Sequence, residues 1–332
     1  MRAVGGVPWP ERVRLWDAAL SAVCGYFREQ GLREVSTPVR VPAVAVEPFI
    51  EPIAAPPALL ATSPELAMKR LLARDSGSIF QIAHVFRRAE IGERHSEEFH
   101  LVEWYRVGAP IDAVLADVEA IVARVFESTG AIGHAPKDWR RVRFRDAVAA
   151  TCGVRLRGDE DAEALVAALP PVLAEPVAAA LPRAHAATAA VRALLAWTAF
   201  FSAWSDLSFE PWLKEQEGVH LVEFPAPLAA LAELDPAEPS LARRAECHVR
   251  GLELANGYVE LRDPGEQRRR FEVVAGLRAA FELPTLPIDA AFLGDLPRLP
   301  PCSGMALGLD RLITLAAGRT RIGDVSLALG EI

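Results

Sequence analysis

The segment FRRAEIGERHSEEFHLVEWY, residues 86–105, places charged side chains in a predicted antiparallel strand pair. The strand-like stretches are 78–88 and 98–107, and a polar loop of about nine residues separates them. Arg87 stands at the end of the first stretch, and Glu103 lies among Val, Trp and Tyr in the second. Because an unpaired carboxylate is costly to bury, Glu103 requires a partner. The segment therefore predicts two neighbouring strands whose charged residues packing alone does not explain.

Two kinds of pattern extend outward from this segment. Helical stretches have apolar residues at a period near 3.6, and strand-like stretches are short runs rich in β-branched and aromatic residues. The predicted helices are 11–30, 112–129, 162–204 and 264–281, the predicted strands are 220–224 and 247–261, and a strand or turn passes into a helix at 305–318. Ser63 is predicted to cap one more helix, with Pro64 at its first position. Strands early and late with helices between them predict an α+β fold, one antiparallel sheet closed by helices.

The composition is that of an ordinary globular chain. A formal charge of -8 argues against a broad nucleic-acid-binding surface, which is normally basic. The four cysteines are scattered without a CxxC pair, which favours reduced thiols in a cytoplasmic protein. The longest apolar run, 186–204, contains Arg192, so it is interpreted as a buried helix rather than a membrane span. Residues 1–20 lack the apolar core of a secretion signal.

Three further acids lie at regular spacing near the end of the chain. Glu253 and Glu260 are seven residues apart in GLELANGYVEL, residues 251–261, and Glu246 lies seven residues before Glu253. Residues an odd number apart face opposite sides of a strand, unless a bulge intervenes. The Asn256–Gly257 step is predicted to supply that bulge. Taken singly, each acid is explained without a functional role, as a solvated edge residue or as a member of a structural ion pair.

Arginines on neighbouring apolar elements weaken that simple explanation. Arg87, Arg244 and Arg311 each lie in or next to a predicted strand or helix. Arginines and acids that converge on one sheet face suit an anionic, metal-bound phosphate together with a cationic substrate. The pattern therefore favours a site for charged ligands.

Three segments in order resemble the motifs of class II aminoacyl-tRNA synthetases. The pattern FR…E…H..EF…EWY within residues 86–105 resembles motif 2, and GMALGLDRLITLAAG, residues 304–318, resembles motif 3. The segment GLREVSTPVRVP, residues 31–42, is similar to motif 1, which that class uses for dimerisation. The resemblance implies the class II catalytic fold and a homodimer.

Two more segments resemble the lysyl subgroup of that class. They are TSPELAMKRLL, residues 62–72, and GLELANGYVEL, residues 251–261. The pattern is most similar to the short lysyl-tRNA synthetase paralogues that modify a lysine of elongation factor P. The resemblance spans residues 8–325 and implies one catalytic domain over 1–332, with an Ala-rich helical insertion at about 135–215. It also implies that the N-terminal anticodon-binding domain of full lysyl-tRNA synthetases is absent.

The resemblance assigns roles to individual residues. Arg87 would bridge the substrate carboxylate and the ATP α-phosphate, and Arg311 would hold the nucleotide from its other side, which makes both catalytic. Glu246 and Glu253 match the Mg²⁺ ligands of the family. The positions that match the ATP site are Arg87, Glu90, His95, Ser96, Glu253, Leu254, Gly308 and Arg311. The positions that match the substrate site are Ser63, Pro64, Glu65, Glu103, Tyr105, Asn256, Glu260 and Ala306.

The chain departs from the family pattern inside motif 2. Ala89 stands where the family has a glutamate that accepts a hydrogen bond from the adenine amine, and Glu90 follows it. The usual HNPEF reads HSEEF, so Ser96 and Glu97 replace Asn and Pro. Three explanations are open: Glu90 substitutes for the missing glutamate, backbone groups alone hold adenine, or the nucleotide or acceptor differs.

The expected function is ATP-dependent activation of lysine or (R)-β-lysine as an adenylate, with transfer to a lysine side chain of elongation factor P. Ala306 is typical of the elongation factor P enzymes, where tRNA-charging relatives usually have Gly, and its extra methyl could favour β-lysine. One alternative is a truncated synthetase that charges tRNA or another carrier, although tRNA is the less expected acceptor. The other is a catalytically silent paralogue that binds a nucleotide or an amino acid.

Overall fold

The central feature of the computed structural model is a sheet of eight strands. The structure describes residues 6–131 and 134–328. In chain order the strands are β1 (Arg33–Glu34), β2 (Arg40–Val41), β3 (Ala54–Ala55), β4 (Ala58–Leu60), β5 (Ile79–Phe86), β6 (Glu98–Val107), β7 (Trp139–Arg143), β8 (Gly218–Pro225), β9 (Leu241–Val249), β10 (Leu252–Val259) and β11 (Cys302–Gly308). The helices are α1 (Trp9–Glu29), α2 (Glu65–Leu72), α3 (Ile111–Thr129), α4 (Phe144–Cys152), α5 (Ala162–Ala168), α6 (Pro171–Ala180), α7 (Ala189–Trp204), α8 (Glu210–Leu213), α9 (Pro264–Ala280), α10 (Ala290–Asp295) and α11 (Leu309–Ala316).

The strand order in the large sheet is β1-β5-β6-β11-β10-β9-β8-β7. The inner pairs are antiparallel, whereas β1 pairs with β5 and β7 with β8 in parallel at the two edges. Strands β2, β3 and β4 form a separate small sheet. The predicted α+β fold with one main antiparallel sheet is confirmed. The edge strand β7 was not predicted, because its sequence WRRVR is mostly charged and lies in the region assigned to a helical insertion.

Helices cover the two faces of the sheet differently. Helices α1, α3 and α11 pack on one face and share a continuous apolar core with it. On the other face, α2, α9 and α10 cover one side, and helices α4 to α8 pack around β8 on the other side. The predicted helical stretches are confirmed, and prolines divide the Ala-rich middle into α5, α6, a short 3-10 turn and α7. In the described part of the chain, no helix combines the length and apolar character needed to cross a bilayer.

The predicted single strand at 247–261 is wrong. Strand β9 ends at Val249 and β10 begins at Leu252, so the segment is the end of one strand, a turn and the next strand. Arg250 and Gly251 form the turn with φ values of 50° and 80°, the left-handed pair that joins antiparallel strands tightly. The apolar run on both sides of a two-residue turn concealed the reversal, since Arg-Gly is a weaker turn signal than Asn-Gly.

The bulge predicted at Asn256–Gly257 is also misplaced. In the register, Glu253 pairs with His248 and Ala255 with Cys247, so Leu254 is the extra residue. Gly257 serves a packing role instead, because an added Cβ would lie 2.4 Å from the carbonyl oxygen of Gly304. The bulge still has the predicted consequence, since it turns Glu253 to the face that carries Asn256.

The start of α2 differs by one residue from the prediction. The helix begins at Glu65, so Pro64 takes the cap position instead of Ser63. The Ser63 hydroxyl nevertheless accepts a hydrogen bond from the Glu65 backbone N–H at 2.9 Å. Ser63 therefore still satisfies a donor of the first turn, and its side chain is held beside Glu65.

Candidate active site

A cavity of about 370 Å³ opens on the sheet face that α1 and α3 leave uncovered. The predicted site residues that line it are Ser63, Glu65, Arg87, Glu90, His95, Ser96, Glu103, Tyr105, Glu246, Glu253, Leu254, Asn256, Glu260, Ala306, Gly308 and Arg311. Pro64 is the exception among the predicted residues. It is buried at the start of α2, where its ring fixes the backbone between Ser63 and Glu65 rather than facing the cavity.

Strand register explains why residues far apart in sequence meet here. Glu246 on β9 pairs with Asn256 on β10, Asn256 with Ala306 on β11, and Ala306 with Glu103 on β6. Directly paired residues of adjacent strands point to the same face. Four strands therefore bring these four side chains into one row across the cavity floor.

One end of the cavity is built from carboxylates. Glu103 accepts hydrogen bonds from the Ser63 hydroxyl at 2.8 Å and from the Tyr105 hydroxyl at 2.6 Å. Burial, and then the negative charge of Glu65, raise the pKa of Glu103 to about 8. Burial also raises the pKa of Glu260 to about 7. Three acids this close repel one another, so this end of the cavity is suited to cations.

A buried lysine lies behind two of these acids. Lys69, one turn after Glu65 on α2, places its Nζ 2.5 Å from Glu65 Oε1 and 2.5 Å from Glu260 Oε2. Although burial opposes the charged form, the two carboxylates raise the pKa of Lys69 above its usual value. Lys69 was not among the site residues predicted from the sequence. Its signal was a lysine on the apolar side of a short helix, four residues after an acid assigned to the site.

Arg87 marks the opposite, cationic part of the cavity. Its guanidinium lies 5.1 Å from the centre of the Phe99 ring, and Nε donates to the Thr62 carbonyl at 3.3 Å. Nη1 is 3.5 Å from Glu90 Oε1, which is within ion-pair distance. The guanidinium is thus anchored on one side while it faces the cavity, an arrangement that suits an anionic ligand.

The altered loop of motif 2 has its own internal support. Ala89 has a φ of 63°, a left-handed conformation that is unfavourable for residues other than glycine. Its backbone N–H donates to the Glu97 carboxylate at 2.5 Å. Two departures from the family pattern, Ala89 and Glu97, therefore contact each other. Glu90 lines the cavity next to them.

Arg311 closes the far side of the cavity. It donates from Nη1 to the carbonyl of Glu253 at 2.9 Å and from Nε to the carbonyl of Arg94 at 3.3 Å. Its Nη2 lies 2.9 Å from His95 Nε2. Burial and the charge of Arg311 lower the pKa of His95, so the neutral ring accepts this bond. These contacts join β10, α11 and the motif 2 loop around one guanidinium.

Glu246 and Glu253 are the predicted metal ligands. Burial and the negative charge of Glu246 raise the pKa of Glu253. Burial also opposes ionisation of Glu246, but His248 and Arg244 outweigh it and lower the pKa of Glu246. Over residues 6–131 and 134–328, no group of three or more His, Cys, Asp or Glu side chains is arranged to hold a metal ion. Two carboxylates fit Mg²⁺ that arrives with a nucleotide, because Mg²⁺ is usually held by one or two carboxylates together with substrate phosphates.

Arg244 holds the polar groups of β9 and β10 in place. Its Nη2 donates to Glu246 at 2.7 Å, its Nε to the Asn256 side-chain oxygen at 3.2 Å, and its Nη1 to the Leu228 carbonyl at 2.7 Å. Asn256 in turn donates to the Tyr258 hydroxyl at 3.2 Å. With its oxygen occupied by Arg244, Asn256 presents a fixed orientation to the cavity.

Glu47 and Phe201 are among the lining residues that were not predicted. Glu47, in the loop before β3, faces Arg87 and Glu65, and burial raises its pKa. Phe201 on α7 brings the Ala-rich region to the cavity wall and packs 5.9 Å from the Phe224 ring. Neither residue belongs to a motif or a periodic pattern that points to a site. Only the tertiary fold places them there.

The sequence of this chain is similar to known proteins over nearly its whole length. The family model described as "tRNA synthetases class II (D, K and N)" matches residues 11–327. The proteins named elongation factor P--(R)-beta-lysine ligase from Proteus mirabilis and Vibrio cholerae are 35% and 34% identical to this chain. The alignments cover 92% and 91% of this chain, and 91% and 90% of those relatives. A Haemophilus influenzae protein of the same name is 34% identical over 90% of this chain and 89% of its own length. The chain therefore belongs to the class II tRNA synthetase family.

Proposed function

We propose that this protein is an ATP-dependent ligase that activates lysine or (R)-β-lysine as an adenylate and transfers it to a lysine side chain of elongation factor P. The observation that carries the proposal is the cavity itself. One sheet face joins a carboxylate-lined end, built from Glu65, Glu103 and Glu260, to an arginine-lined end, built from Arg87 and Arg311. An amino acid with two amines requires the carboxylate-lined end, and the phosphates of a nucleotide require the arginine-lined end beside it.

The carboxylate end would bind the two ammonium groups of the amino acid. Lysine and β-lysine both carry two cationic amines and differ in where one of them is attached. Glu103 sits at the centre of the cavity floor, opposite Ala306 in the strand register. The methyl group of Ala306 is therefore close to a carboxylate that could hold the amine whose position differs. A difference of one methyl is worth about 1–3 kcal/mol in discrimination, so Ala306 would bias the preference between the two isomers.

The arginine end would bind and polarise the phosphates. Arg87 would contact both the substrate carboxylate and the α-phosphate, and so offset the charge that builds up as the carboxylate oxygen attacks phosphorus. Arg311 would hold the nucleotide from the α11 side. Glu246 and Glu253 would hold Mg²⁺, which supplies charge neutralisation at the phosphates when it is bound.

Among the three explanations for Ala89, we favour Glu90 as the group that accepts the adenine amine. Glu90 lines the cavity next to Arg87, whereas the backbone N–H of Ala89 is already bonded to Glu97. This choice keeps ATP as the nucleotide. The acceptor assignment is supported by the relatives named above, which are similar to this chain over about nine-tenths of both lengths.

The same proposal includes a cytoplasmic location, a homodimer and a single catalytic domain in which residues 135–215 are an insertion. Helices α4 to α8 of that region have their own apolar core, and β7 attaches it to the edge of the sheet. Elongation factor P, rather than tRNA, is the proposed acceptor.

A transfer experiment with purified acceptors tests the function. Elongation factor P, ATP, Mg²⁺ and either lysine isomer are incubated with the protein, and the intact mass of the acceptor is measured. We expect a gain of one lysyl group together with one AMP per transfer, and no gain when the acceptor lysine is replaced by arginine. Transfer to tRNA alone would overturn the acceptor assignment. AMP formation with neither acceptor modified would point to another carrier.

A further inference from the structure

Lys69 has no role in the proposed chemistry, yet it is among the most deeply buried charged groups of the described chain. Its side chain is 1% exposed, and it contacts the wall of the cavity from behind without lining it. The chain has three lysines against 33 arginines among its 36 basic residues, so a lysine at this position stands out from the general usage. Lys137 and Lys214, the other two, are exposed.

The geometry explains why lysine rather than arginine occupies this position. An ammonium is a compact point charge with three donors, whereas a guanidinium is a planar fork that needs more room. The Nζ atom lies 2.5 Å from carboxylate oxygens on two different elements, α2 and the segment after β10. Lys69 therefore joins Glu65 to Glu260 across a narrow gap and leaves each acid with its second oxygen for another partner.

The formal charge of the substrate pocket depends on Lys69. The substrate end holds three carboxylates, Glu65, Glu103 and Glu260, and one ammonium, Lys69, so its formal charge is -2. Without Lys69 the formal charge would be -3, one more than two substrate amines can neutralise. We propose that Lys69 is a positioning residue that sets the charge of this pocket to match a substrate with two ammonium groups. This inference rests on the proposed function.

The pKa of Glu260 supports the same conclusion. Even with the lysine ammonium beside it, burial raises the pKa of Glu260 to about 7. If Lys69 were uncharged, Glu260 would lose the opposite charge that favours its ionised form and would hold a proton throughout the neutral range. A protonated Glu260 binds an ammonium group poorly. The titratable groups around Lys69, including the three pocket carboxylates, are Glu47, Glu65, Glu103, Tyr105, Tyr258, Glu260 and Cys302.

A pair of substitutions separates the charge of Lys69 from its packing. Lys69→Met removes the charge and keeps a similar length, whereas Lys69→Arg keeps the charge and disturbs the packing more. The readout is the pH dependence of kcat/KM and of kcat for lysine in ATP–pyrophosphate exchange. In Lys69→Met we expect KM to rise at least about tenfold at neutral pH and the acidic limb of the kcat/KM profile to move up by about 1–3 pH units.

For Lys69→Arg we expect a lower melting temperature but an acidic limb close to that of the wild type. The opposite ranking, with the limb moved in Lys69→Arg and unmoved in Lys69→Met, would overturn the proposal. Equal pH profiles in all three proteins would also overturn it, because a purely structural lysine changes stability without moving the limb. Calorimetric titration of lysine without ATP repeats the comparison and does not depend on turnover.

A measurement on the unaltered protein covers the case in which Lys69→Met does not fold. With three lysines, ¹³Cε-labelled lysine gives few signals, and Lys137 and Lys214 serve as exposed references. We expect one signal to remain at the ammonium shift up to pH 11 and to move when lysine is added, while the two references titrate. A neutral amine at Lys69 near pH 8 would refute the charge count. If the wild type binds lysine but supports no exchange, the proposed function fails while the inference about Lys69 can still be judged.

Discussion

Single residues decide the charge of the cavity in this protein. Glu103 is buried at the centre of the floor, where two hydroxyl groups donate to it, yet burial still raises its pKa to about 8. Glu260 has a pKa raised to about 7. Both acids are therefore partly protonated near neutral pH in the free protein, and a bound cation would favour their ionised forms.

This protonation predicts how substrate affinity depends on pH. Because the raised pKa values leave the two acids neutral at pH 6 and ionised near pH 9, we expect lysine to bind at least about tenfold more tightly at pH 8.5 than at pH 6. Binding at pH 7 should release protons. Isothermal titration calorimetry in two buffers of different ionisation enthalpy measures both effects. Glu103→Gln serves as the control and should weaken the pH dependence; an affinity that falls as pH rises would contradict the account.

Two glycines of β11 form a matched pair at the same scale. A Cβ at Gly304 would lie 2.4 Å from the Tyr105 ring and 2.5 Å from Glu260 Oε1, whereas a Cβ at Gly308 would meet nothing closer than 3.5 Å. We therefore expect Gly304→Ala to destabilise the protein by about 1–3 kcal/mol and to weaken lysine binding. Gly308→Ala should leave the melting temperature within about 1 °C of the wild type, because a Cβ there meets only the flexible Arg311 side chain at ordinary contact distances. Equal thermal shifts in both variants would show that the packing argument is wrong.

At the scale of elements, an ion-pair cluster of one aspartate and three arginines holds the C-terminal end of α2 in place. Asp295, which ends α10 and is largely buried, accepts hydrogen bonds from Arg70 of α2, from Arg74 just after that helix and from Arg298. Against the effect of burial, these bonds lower the pKa of Asp295 to about 2. Helix α2 carries Glu65 and Lys69 at its other positions, so this cluster fixes one wall of the cavity.

Replacing Asp295 by Asn should therefore affect stability more than chemistry. We expect the free energy of unfolding to fall by about 1–3 kcal/mol at pH 7, because charge-assisted hydrogen bonds are lost. The depressed pKa means that the stabilising effect is present above pH 4 and is lost as pH falls through 4 towards 2. Urea unfolding of wild type and Asp295→Asn should therefore differ at pH 7 and converge near pH 2. A difference that persists at pH 2 would contradict the role of the carboxylate charge.

The long helices and strands and the order of the motifs could be predicted from the sequence. A short edge strand and the position of a β-bulge could not. Long periodic stretches such as α1 and α3 were found because their apolar stripe repeats over several turns. Strand β7 was missed because three of its five residues are arginines, which do not mark strands. The bulge was predicted at Asn256–Gly257, two residues after the extra residue Leu254, because its position is fixed by pairing with β9 and not by the local sequence.

The site shows the same division. Residues such as Arg87, Glu103 and Arg311 were found through motifs that keep their spacing along the chain. Lys69, Glu47 and Phe201 were missed, because a buried lysine, a loop acid and a helix aromatic become site residues only when the fold packs them against the cavity. Sequence motifs thus locate the groups that contact ligands better than the groups that support them.

At the scale of the whole molecule, the surface around α1 bears on assembly. Trp9 and Val13 on α1, and Val39 in the segment that resembles motif 1, are large apolar side chains exposed to solvent. Exposed apolar side chains of this kind often mark interaction surfaces. We expect the protein to be a homodimer, with a light-scattering mass of twice the chain mass of 36.0 kDa. Val13→Glu should shift the mass towards the monomer, and a wild type that is monomeric at micromolar concentration would contradict the expectation.

The central claim is that this cavity activates a lysine-type amino acid with ATP, and ATP–pyrophosphate exchange tests it most directly. We expect exchange that depends on lysine or (R)-β-lysine and on Mg²⁺, and that is absent with norleucine, which lacks the second amine. Arg87→Ala should reduce exchange by about 10²–10³-fold, because it removes charge stabilisation at the α-phosphate. Arg88→Ala, an exposed neighbour that does not line the cavity, is the matched control and should retain it. No exchange with either lysine isomer, or full exchange in Arg87→Ala, would contradict the account.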